Sequence, residues 1–157
     1  MNIYVASSWR NEYQPTIVVD LREHGFEVYD FRKPAPGDTG FQWSEVDPKW
    51  KLWEKCPERF VKALQDPIAK DGFKKDIAAM YSADVFVLAM PCGRSAHLEL
   101  GWAIGREIPS FILLPPDCGE PELMYSMAKK VCTSMAELLR ELHALCADDY
   151  PCRIETN

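Results

Sequence analysis

A single carboxylate, Glu99, interrupts the otherwise small and apolar segment PCGRSAHLELGWAIG, which runs from Pro91 to Gly105. Apolar residues at nearly every position around it predict a helix that is buried on most sides. An ionised carboxylate is costly in such surroundings unless other groups compensate its charge. Two interpretations stay open. Either the dipole of the helix stabilises Glu99, or Glu99 is a functional carboxylate at the mouth of a crevice.

Hydrogen-bond donors gather in two short segments, SSWRN near the N-terminus and GRS just before Glu99. If the two segments meet, their serines, arginines and helix N-termini would form the usual kind of site for a phosphate or another anion. The residues expected to bind a substrate or its phosphate are Ser7, Ser8, Arg10, Gly93, Arg94 and Ser95. The pattern is neither a P-loop nor a GxGxxG motif.

Two further carboxylates lie in the segment GFKKDIAAMYSAD. Asp76 is either an exposed charge beside Lys74 and Lys75 or a second functional group. Asp84 opens the strand that follows, at the end away from the crevice, so we expect it to cap the strand or face solvent.

The tripeptide HLE, from His97 to Glu99, matches the H-x-E part of the zinc deaminase signature. That signature also needs P-C-x-x-C downstream, whereas Cys118 in PPDCGEP has no partner at the required spacing. We therefore predict no metal site and no cofactor, and we expect His97 on the helix surface or in a supporting position.

Strands and helices alternate along the chain. Strands are expected at Asn2–Ala6, Phe26–Phe31, Asp84–Met90, Ser110–Leu114 and Lys130–Thr133. Helices are expected at Asn11–His24, Gly72–Ser82, Ser95–Arg106, Pro121–Ala128 (a turn or two) and Ser134–Ala147. In the last of these, Ser134 is the expected N-cap and Glu137 completes a capping box.

This alternation predicts an α/β fold, a single doubly wound domain of the flavodoxin-like or Rossmann-like kind. We expect a five-stranded parallel sheet in the order 2-1-3-4-5. In that order the crevice lies between the first and third strands, where Ser7–Asn11 and Pro91–Glu99 follow their carboxyl ends.

The stretch from about 32 to 71 contains five prolines and three of the five tryptophans, Trp43, Trp50 and Trp53. It is too long for a plain connection, and we expect a loop followed by short helices, most clearly at Pro57–Leu64. Its tryptophans either pack on the body of the domain or form a lid or binding wall, and we favour the second interpretation. The expected domain spans 1–147 with this insert, followed by a loose tail at 148–157.

The bulk composition is that of an ordinary globular domain of 157 residues with a net charge of -6. The acidic balance argues against nucleic acid or an anionic membrane as the main partner. No signal peptide or membrane span is recognisable, so we expect a cytoplasmic protein. In that reducing compartment the six scattered cysteines are expected to be free thiols.

Three segments, IYVASSWR, DIAAMYSADVFVLAM and GRSAHLELGWAIGREIPSFIL, resemble the nucleoside 2-deoxyribosyltransferase superfamily. That group includes the deoxyribonucleoside 5′-monophosphate N-glycosidases. The resemblance covers roughly residues 1–31 and 72–114, and its most specific element is the E-L-G-x-A core at Glu99–Ala103.

The resemblance implies cleavage of an N-glycosidic bond, by hydrolysis or by base transfer. Glu99 would attack C1′ of the sugar, Asp76 would handle the proton of the base, and Tyr4 would touch the nucleophile. Ser8 and Arg10 match a phosphate-binding Ser-x-Arg. The resemblance also implies a homodimer or larger homo-oligomer whose subunits complete one another's sites.

The chemistry of such a reaction fits these residue types. Cleavage passes through an oxocarbenium-like state, which needs a carboxylate on one face of the sugar and a proton source for the base. Trp9 or Trp43 could stack on that base. The transferases usually carry an acidic residue where this chain has Gly93, which favours cleavage over base transfer.

Two alternatives belong to other functional classes. One is an NAD-cleaving hydrolase of the TIR type, which also uses one helix glutamate and would release nicotinamide. The other is a nucleotide-binding module without turnover, which would bind nucleotides and release no base from any of them. The identity of the base and of the sugar stays open.

Overall fold

The computed structural model describes residues 1–117 and 120–149. Within them the strands are β1 (Asn2–Ala6), β2 (Glu27–Tyr29), β3 (Val85–Ala89), β4 (Ser110–Leu113) and β5 (Lys130–Cys132). They form one sheet in the order β2-β1-β3-β4-β5. The pairs β1–β3, β3–β4 and β4–β5 are parallel. The predicted doubly wound α/β fold and its strand order are confirmed.

The α-helices of the described residues are α1 (Gln14–Glu23), α2 (Trp43–Val46), α3 (Pro57–Ala63), α4 (Pro67–Ser82), α5 (Arg94–Gly105) and α6 (Met135–Asp149). Two further segments are 3-10 helices, at Trp50–Lys55 and at Leu123–Met127. Each of the helices predicted from hydrophobic periodicity is present, with ends that differ by a few residues.

Alternating side chains divide the sheet into two buried faces. Ile3, Val5, Val85 and Val87 belong to the core that also contains side chains of α1 and α6. On the other face, Tyr4 stacks on Phe86 with ring centroids 4.8 Å apart, and α5 contacts β1, β3 and β4. Burial on both faces explains why all five residues of β3 are apolar and buried, as is typical of a central parallel strand.

Helix α4 begins at Pro67, five residues before the predicted start at Gly72. The Asp66 side chain accepts the Ile68 N–H at 2.8 Å, as an N-cap residue does. Proline is favoured in the first helical turn, where its missing N–H costs nothing. The dipeptide Asp66–Pro67 is therefore a helix start that the sequence analysis had assigned to the insert.

The start of α6 follows the prediction in part. Ser134 Oγ accepts the Glu137 N–H at 3.2 Å, as a capping residue should. The Glu137 carboxylate, however, accepts the N–H of Thr133 rather than that of Ser134. The helix also continues past the predicted end at Ala147 to Asp149. The rest of the predicted tail lies outside the described residues.

The chain divides into two compact units, one of residues 1–28 and 83–157 and one of Tyr29–Ser82. The second unit contains the whole predicted insert together with the rest of α4. Two of its three tryptophans, Trp43 and Trp53, belong to a small aromatic cluster. Trp43 lies edge-on to Trp53, Phe41 and Phe60, with ring centroids 4.8 to 5.7 Å apart.

Two other expectations bear on the chain as a whole. None of the described helices is long and apolar enough to cross a membrane. Four of the six cysteines, Cys56, Cys92, Cys132 and Cys146, are free thiols. Cys118 and Cys152 lie outside the described residues.

Candidate active site

A buried amide joins the carboxyl ends of β1 and β3. The Asn11 side chain is fully buried, and its Nδ2 donates to Ser7 Oγ at 2.9 Å and to the Ala89 carbonyl at 3.1 Å. Asn11 Oδ1 accepts the Tyr13 N–H at 2.9 Å. The Asn11 side chain therefore ties the loop after β1 to the carboxyl end of β3.

Ser7 has a role in the same network. Its hydroxyl donates to the Ala89 carbonyl at 2.8 Å. A serine hydroxyl has one hydrogen, so this bond uses the only donor that Ser7 could offer a phosphate. Ser8 is half-buried and its Oγ accepts the Arg10 N–H at 3.2 Å.

Two arginines flank this network and have no acidic partner in the described part of the chain. Arg10 follows β1 and Arg94 is the first residue of α5, and both side chains are exposed. Gly93 is the N-cap of α5, and no side chain caps that helix end. Ser95 is exposed in the first turn. The first N–H groups of the helix and two guanidinium groups are thus available to an anion.

Glu99 is the sixth residue of α5 and is half-buried. The prediction that this helix is buried on nearly all sides is wrong. Ala96, Leu100 and Ala103 are buried, but Leu98 is 76 % exposed. The stabilising effect of a helix dipole is confined to the first turn. The position of Glu99 in the second turn therefore weakens the explanation based on the dipole.

Tyr4 lies on the face of the sheet that α5 covers. Its side chain is 1 % exposed, and its ring stacks on Phe86 of β3. The Phe86 ring in turn lies 5.9 Å from the ring of Trp102, which is three residues after Glu99 on α5. The proposed contact between Tyr4 and the carboxylate stays a prediction.

Three side chains that the sequence analysis did not assign to a site surround the loop before α5. His97 Nδ1 lies 2.9 Å from the Gly93 carbonyl, and its Nε2 lies 2.9 Å from Tyr125 Oη. A carbonyl only accepts, so Nδ1 carries the hydrogen in its contact with Gly93, and Nε2 forms the contact with the Tyr125 hydroxyl. Cys92 Sγ lies 3.5 Å from the same Nδ1. His97 thus supports the loop, as expected of it.

The charge of Glu99 affects the pKa of the Cys92 thiol. Burial, and after it the negative charge of Glu99, raise the pKa of the Cys92 thiol to about 12. Cys92 is therefore a neutral thiol at physiological pH and a poor nucleophile. No group of three or more His, Cys, Asp or Glu side chains within the described ranges could hold a metal ion.

Asp76 belongs to the second unit and is half-buried rather than an exposed charge. Its Oδ1 accepts a hydrogen bond from Tyr29 Oη at 2.8 Å. Burial raises the pKa of the Asp76 carboxyl, and the Tyr29 bond and the charge of Lys75 oppose that rise. A carboxyl with a raised pKa can hold and release a proton nearer to neutral pH.

A small cavity of about 70 Å³, open to solvent, lies within the second unit and is lined in part by Asp76. Its apolar wall includes Phe31 and Phe41, and its rim carries Asp38 and Lys75. The ring of Phe41 packs directly over Gly72 of α4, where an added Cβ would lie 2.7 Å from the Phe41 Cβ. The absence of a side chain at Gly72 therefore lets Phe41 lie against the helix beside the cavity.

The two predicted stacking residues lie in different surroundings. Trp43 is in the aromatic cluster of the second unit and is not among the cavity-lining residues. Trp9 belongs to the other unit and is 42 % exposed. Asp84 has a structural role, since its Oδ2 accepts the Asn2 N–H at 2.7 Å and ties the starts of β1 and β3 together.

An α/β domain with anion-binding groups at the carboxyl ends of its first and third strands is a common scaffold for nucleotide chemistry. No protein-family model matches this chain, and no curated protein matches its sequence. Solved structures do share its fold. One is a 2-deoxyribosyltransferase of Bacillus psychrosaccharolyticus, with a TM-score of 0.58 at 19% identity, covering 88% of this chain and 90% of that one.

Two other structures are similar to a comparable extent. The CMP N-glycosidase of Clostridium botulinum has a TM-score of 0.50 at 17% identity, covering 92% of this chain and 99% of that one. A conserved protein of Enterococcus faecalis V583 has a TM-score of 0.60 at 14% identity, covering 92% and 98%. At these identities the similarity establishes a shared fold, in agreement with the fold that the resemblance in sequence implied.

Replacing Asn11 by Ala should destabilise the protein. The change leaves the Tyr13 N–H without its partner and removes one of the two hydrogen bonds to the Ala89 carbonyl, to which Ser7 Oγ also donates. The expected cost is about 1–3 kcal/mol in the free energy of unfolding. Urea denaturation measures the loss. The control is Ser126→Ala, an exposed position that should change stability by less than about 0.5 kcal/mol. Equal stability of the two variants would show that the Asn11 bridge contributes nothing.

Replacing Glu99 by Gln should make Cys92 more reactive. Because the charge of Glu99 helps to raise the pKa of this thiol, its removal lowers the pKa and increases the thiolate fraction at any alkaline pH below that pKa. Alkylation by iodoacetamide, followed for each cysteine by mass spectrometry, measures the rate. Cys56, in the other unit, should react as before. An unchanged rate of Cys92 alkylation would show that the Glu99 carboxylate does not lie close enough to Cys92 to affect its pKa.

Proposed function

We propose that the protein cleaves the N-glycosidic bond of a nucleoside or nucleoside 5′-monophosphate, by hydrolysis or by transfer of the base. Glu99 is the nucleophile, Asp76 exchanges a proton with the leaving base, and Tyr4 orients Glu99. The proposal combines the resemblance in sequence with the fold shared with a 2-deoxyribosyltransferase and a CMP N-glycosidase. It also depends on the surroundings of each residue.

The observation that carries the proposal is the position of Glu99. A half-buried carboxylate follows an uncapped helix start, beyond the reach of the helix dipole, on a helix that packs against β1 and β3. A carboxylate at this position is suited to face the anomeric carbon of a bound sugar, where it would stabilise the positive charge that develops in the transition state.

A 5′-phosphate would bind to the neighbouring loops. Arg10 and Arg94 are exposed, and neither forms an ion pair within the described ranges. Guanidinium groups and uncapped helix N–H groups together are well suited to a phosphate. Ser8, Gly93 and Ser95 complete this set. Ser7 supports the loop through Ala89, so its part in binding is the positioning of its neighbours.

The reaction follows from these roles. As the bond between C1′ and the base nitrogen breaks, its electron pair leaves with the base and Asp76 supplies the proton. The Glu99 carboxylate stabilises the oxocarbenium-like sugar and forms a bond to C1′. Water then attacks C1′ in hydrolysis, or a second base does so in transfer. The attacking group gives its proton to Asp76, which returns to the acid form, and Glu99 is released as a carboxylate. The chain's own carboxylates thus perform each of these steps.

The cytoplasmic location and the assembly into a homodimer or larger homo-oligomer remain predictions that rest on the sequence. In the proposed assembly a second copy would complete the site. The stacking roles of Trp9 and Trp43 are also proposals. Phe41 is a further candidate for this role, because its ring lines the cavity beside Asp76.

Replacing Glu99 by Gln or Ala should lower base release by at least about 100-fold, because the transition-state charge loses its stabilising carboxylate. Chromatography of free base measures this in one screen of deoxynucleotides, ribonucleotides, nucleosides and NAD. A second base added as acceptor distinguishes transfer from hydrolysis.

The control for this screen is Glu107→Gln, an exposed glutamate just beyond the end of α5, which should retain wild-type activity. Full activity of both Glu99 variants would overturn the nucleophile assignment. Release of nicotinamide alone would favour the NAD-cleaving alternative, and binding without any release would favour the non-catalytic one.

Replacing Arg10 by Ala should affect nucleotides far more than nucleosides. Loss of one charge-assisted hydrogen bond to phosphate should lower kcat/KM for the monophosphates by about 10- to 100-fold. The same variant should act on nucleosides at nearly the wild-type rate. Arg140→Ala, an exposed position on α6, is the matched control. Equal losses on both substrate classes would argue against a phosphate-binding role for Arg10.

A further inference from the structure

Asp76 has a single hydrogen-bond donor in the described part of the chain, the hydroxyl of Tyr29. Tyr29 ends β2 and Asp76 lies in the middle of α4, so the bond joins positions 47 residues apart. Both side chains line the cavity of the second unit. No sequence motif links them, and the resemblance assigns Tyr29 no role.

The nearest cation does not compete with this bond. Lys75 Nζ lies 2.8 Å from Asp38 Oδ2 and 2.9 Å from Asp71 Oδ2. Lys75 therefore acts on its neighbour Asp76 through its charge alone. The other charged group at the cavity is Glu45, whose carboxylate accepts the N–H of Gln42. Among the described residues, Tyr29 thus donates the only side-chain hydrogen bond to the Asp76 carboxyl.

We propose that Tyr29 is a positioning residue, whose hydroxyl holds Asp76 Oδ1 and leaves Oδ2 as the oxygen that exchanges a proton with the base. This inference rests on the function proposed above for Asp76. A hydrogen bond to one carboxyl oxygen fixes the plane of the group and directs the proton of the acid form to the other oxygen. Pre-orientation of this kind is how an enzyme brings an acid into line with a leaving group.

The same bond has a consequence for the protonation of Asp76. In the cleavage step the proton passes from Oδ2 to the base nitrogen and Asp76 becomes a carboxylate. Tyr29 donates to that carboxylate and so stabilises the product of proton transfer. Removing the hydroxyl disfavours the charged form, and the pKa of Asp76 should therefore rise further above its ordinary value.

The test compares the pH dependence of kcat and kcat/KM in the wild type, Tyr29→Phe and Asp76→Asn. Asp76→Asn should lower kcat by about 10²- to 10⁴-fold and remove the limb of the profile that belongs to this carboxyl. Tyr29→Phe should lower kcat by about 10-fold with little change in KM, and should move the same limb to higher pH. Tyr13→Phe, an exposed tyrosine in the other unit, is the control and should do neither.

A second substitution separates the effect of the missing hydroxyl from a folding defect in Tyr29→Phe. Site-specific 3-fluorotyrosine at position 29 keeps the shape of the ring and is a stronger donor, so it should move the limb to lower pH. A limb that stays in place in both variants would overturn the role of Tyr29 while the proposed function stands. A wild-type protein that releases no base from any substrate would overturn both.

Discussion

The carboxamide of Asn11 is the contact on which the crevice depends. Parallel strands hydrogen-bond along their length, but the loops that leave their carboxyl ends have no such partners. Asn11 supplies them by donating to Ser7 Oγ and to the Ala89 carbonyl, and by accepting the Tyr13 N–H. The loop that carries Arg10 is fixed in this way, and the Arg10 side chain is exposed. A buried amide with three satisfied bonds thus orders the loop that we propose to bind phosphate.

The strand order could be predicted from the sequence because it follows from local patterns and one general rule. Apolar runs such as Val85–Ala89 are typical of central parallel strands, and a strand, helix and strand in succession wind in one direction. The start of α4 was misplaced for a local reason. Asp66 and Pro67 are a cap and a first-turn residue, but the surrounding prolines suggested a loop. The aromatic cluster around Trp43 could not be deduced, since Trp53 and Phe60 lie in separate short helices whose packing the sequence pattern does not show.

The candidate site, like the fold, could be predicted from the sequence only in part. Charged residues beside glycine and serine, such as Arg10 and Arg94, stand out in a sequence because their types suggest chemistry. Tyr29, Tyr125 and Asn11 do not, because their importance comes from one partner that is distant in the sequence. The Tyr29 hydroxyl is an ordinary surface group until the fold brings it 2.8 Å from Asp76. Ser7 was selected by its type, and its proton turns out to be engaged within the protein.

The two proposed catalytic carboxylates differ in the physics of their surroundings, as two groups with different tasks should. Glu99 is half-buried in the second turn of α5, and its negative charge helps to raise the pKa of the Cys92 thiol. Asp76 lies beside a cavity with aromatic walls, where burial raises its pKa and one phenol limits that rise. A nucleophile must stay ionised, whereas a proton donor must hold its proton until the bond breaks. The raised pKa of Asp76 favours the protonated form that its proposed role requires.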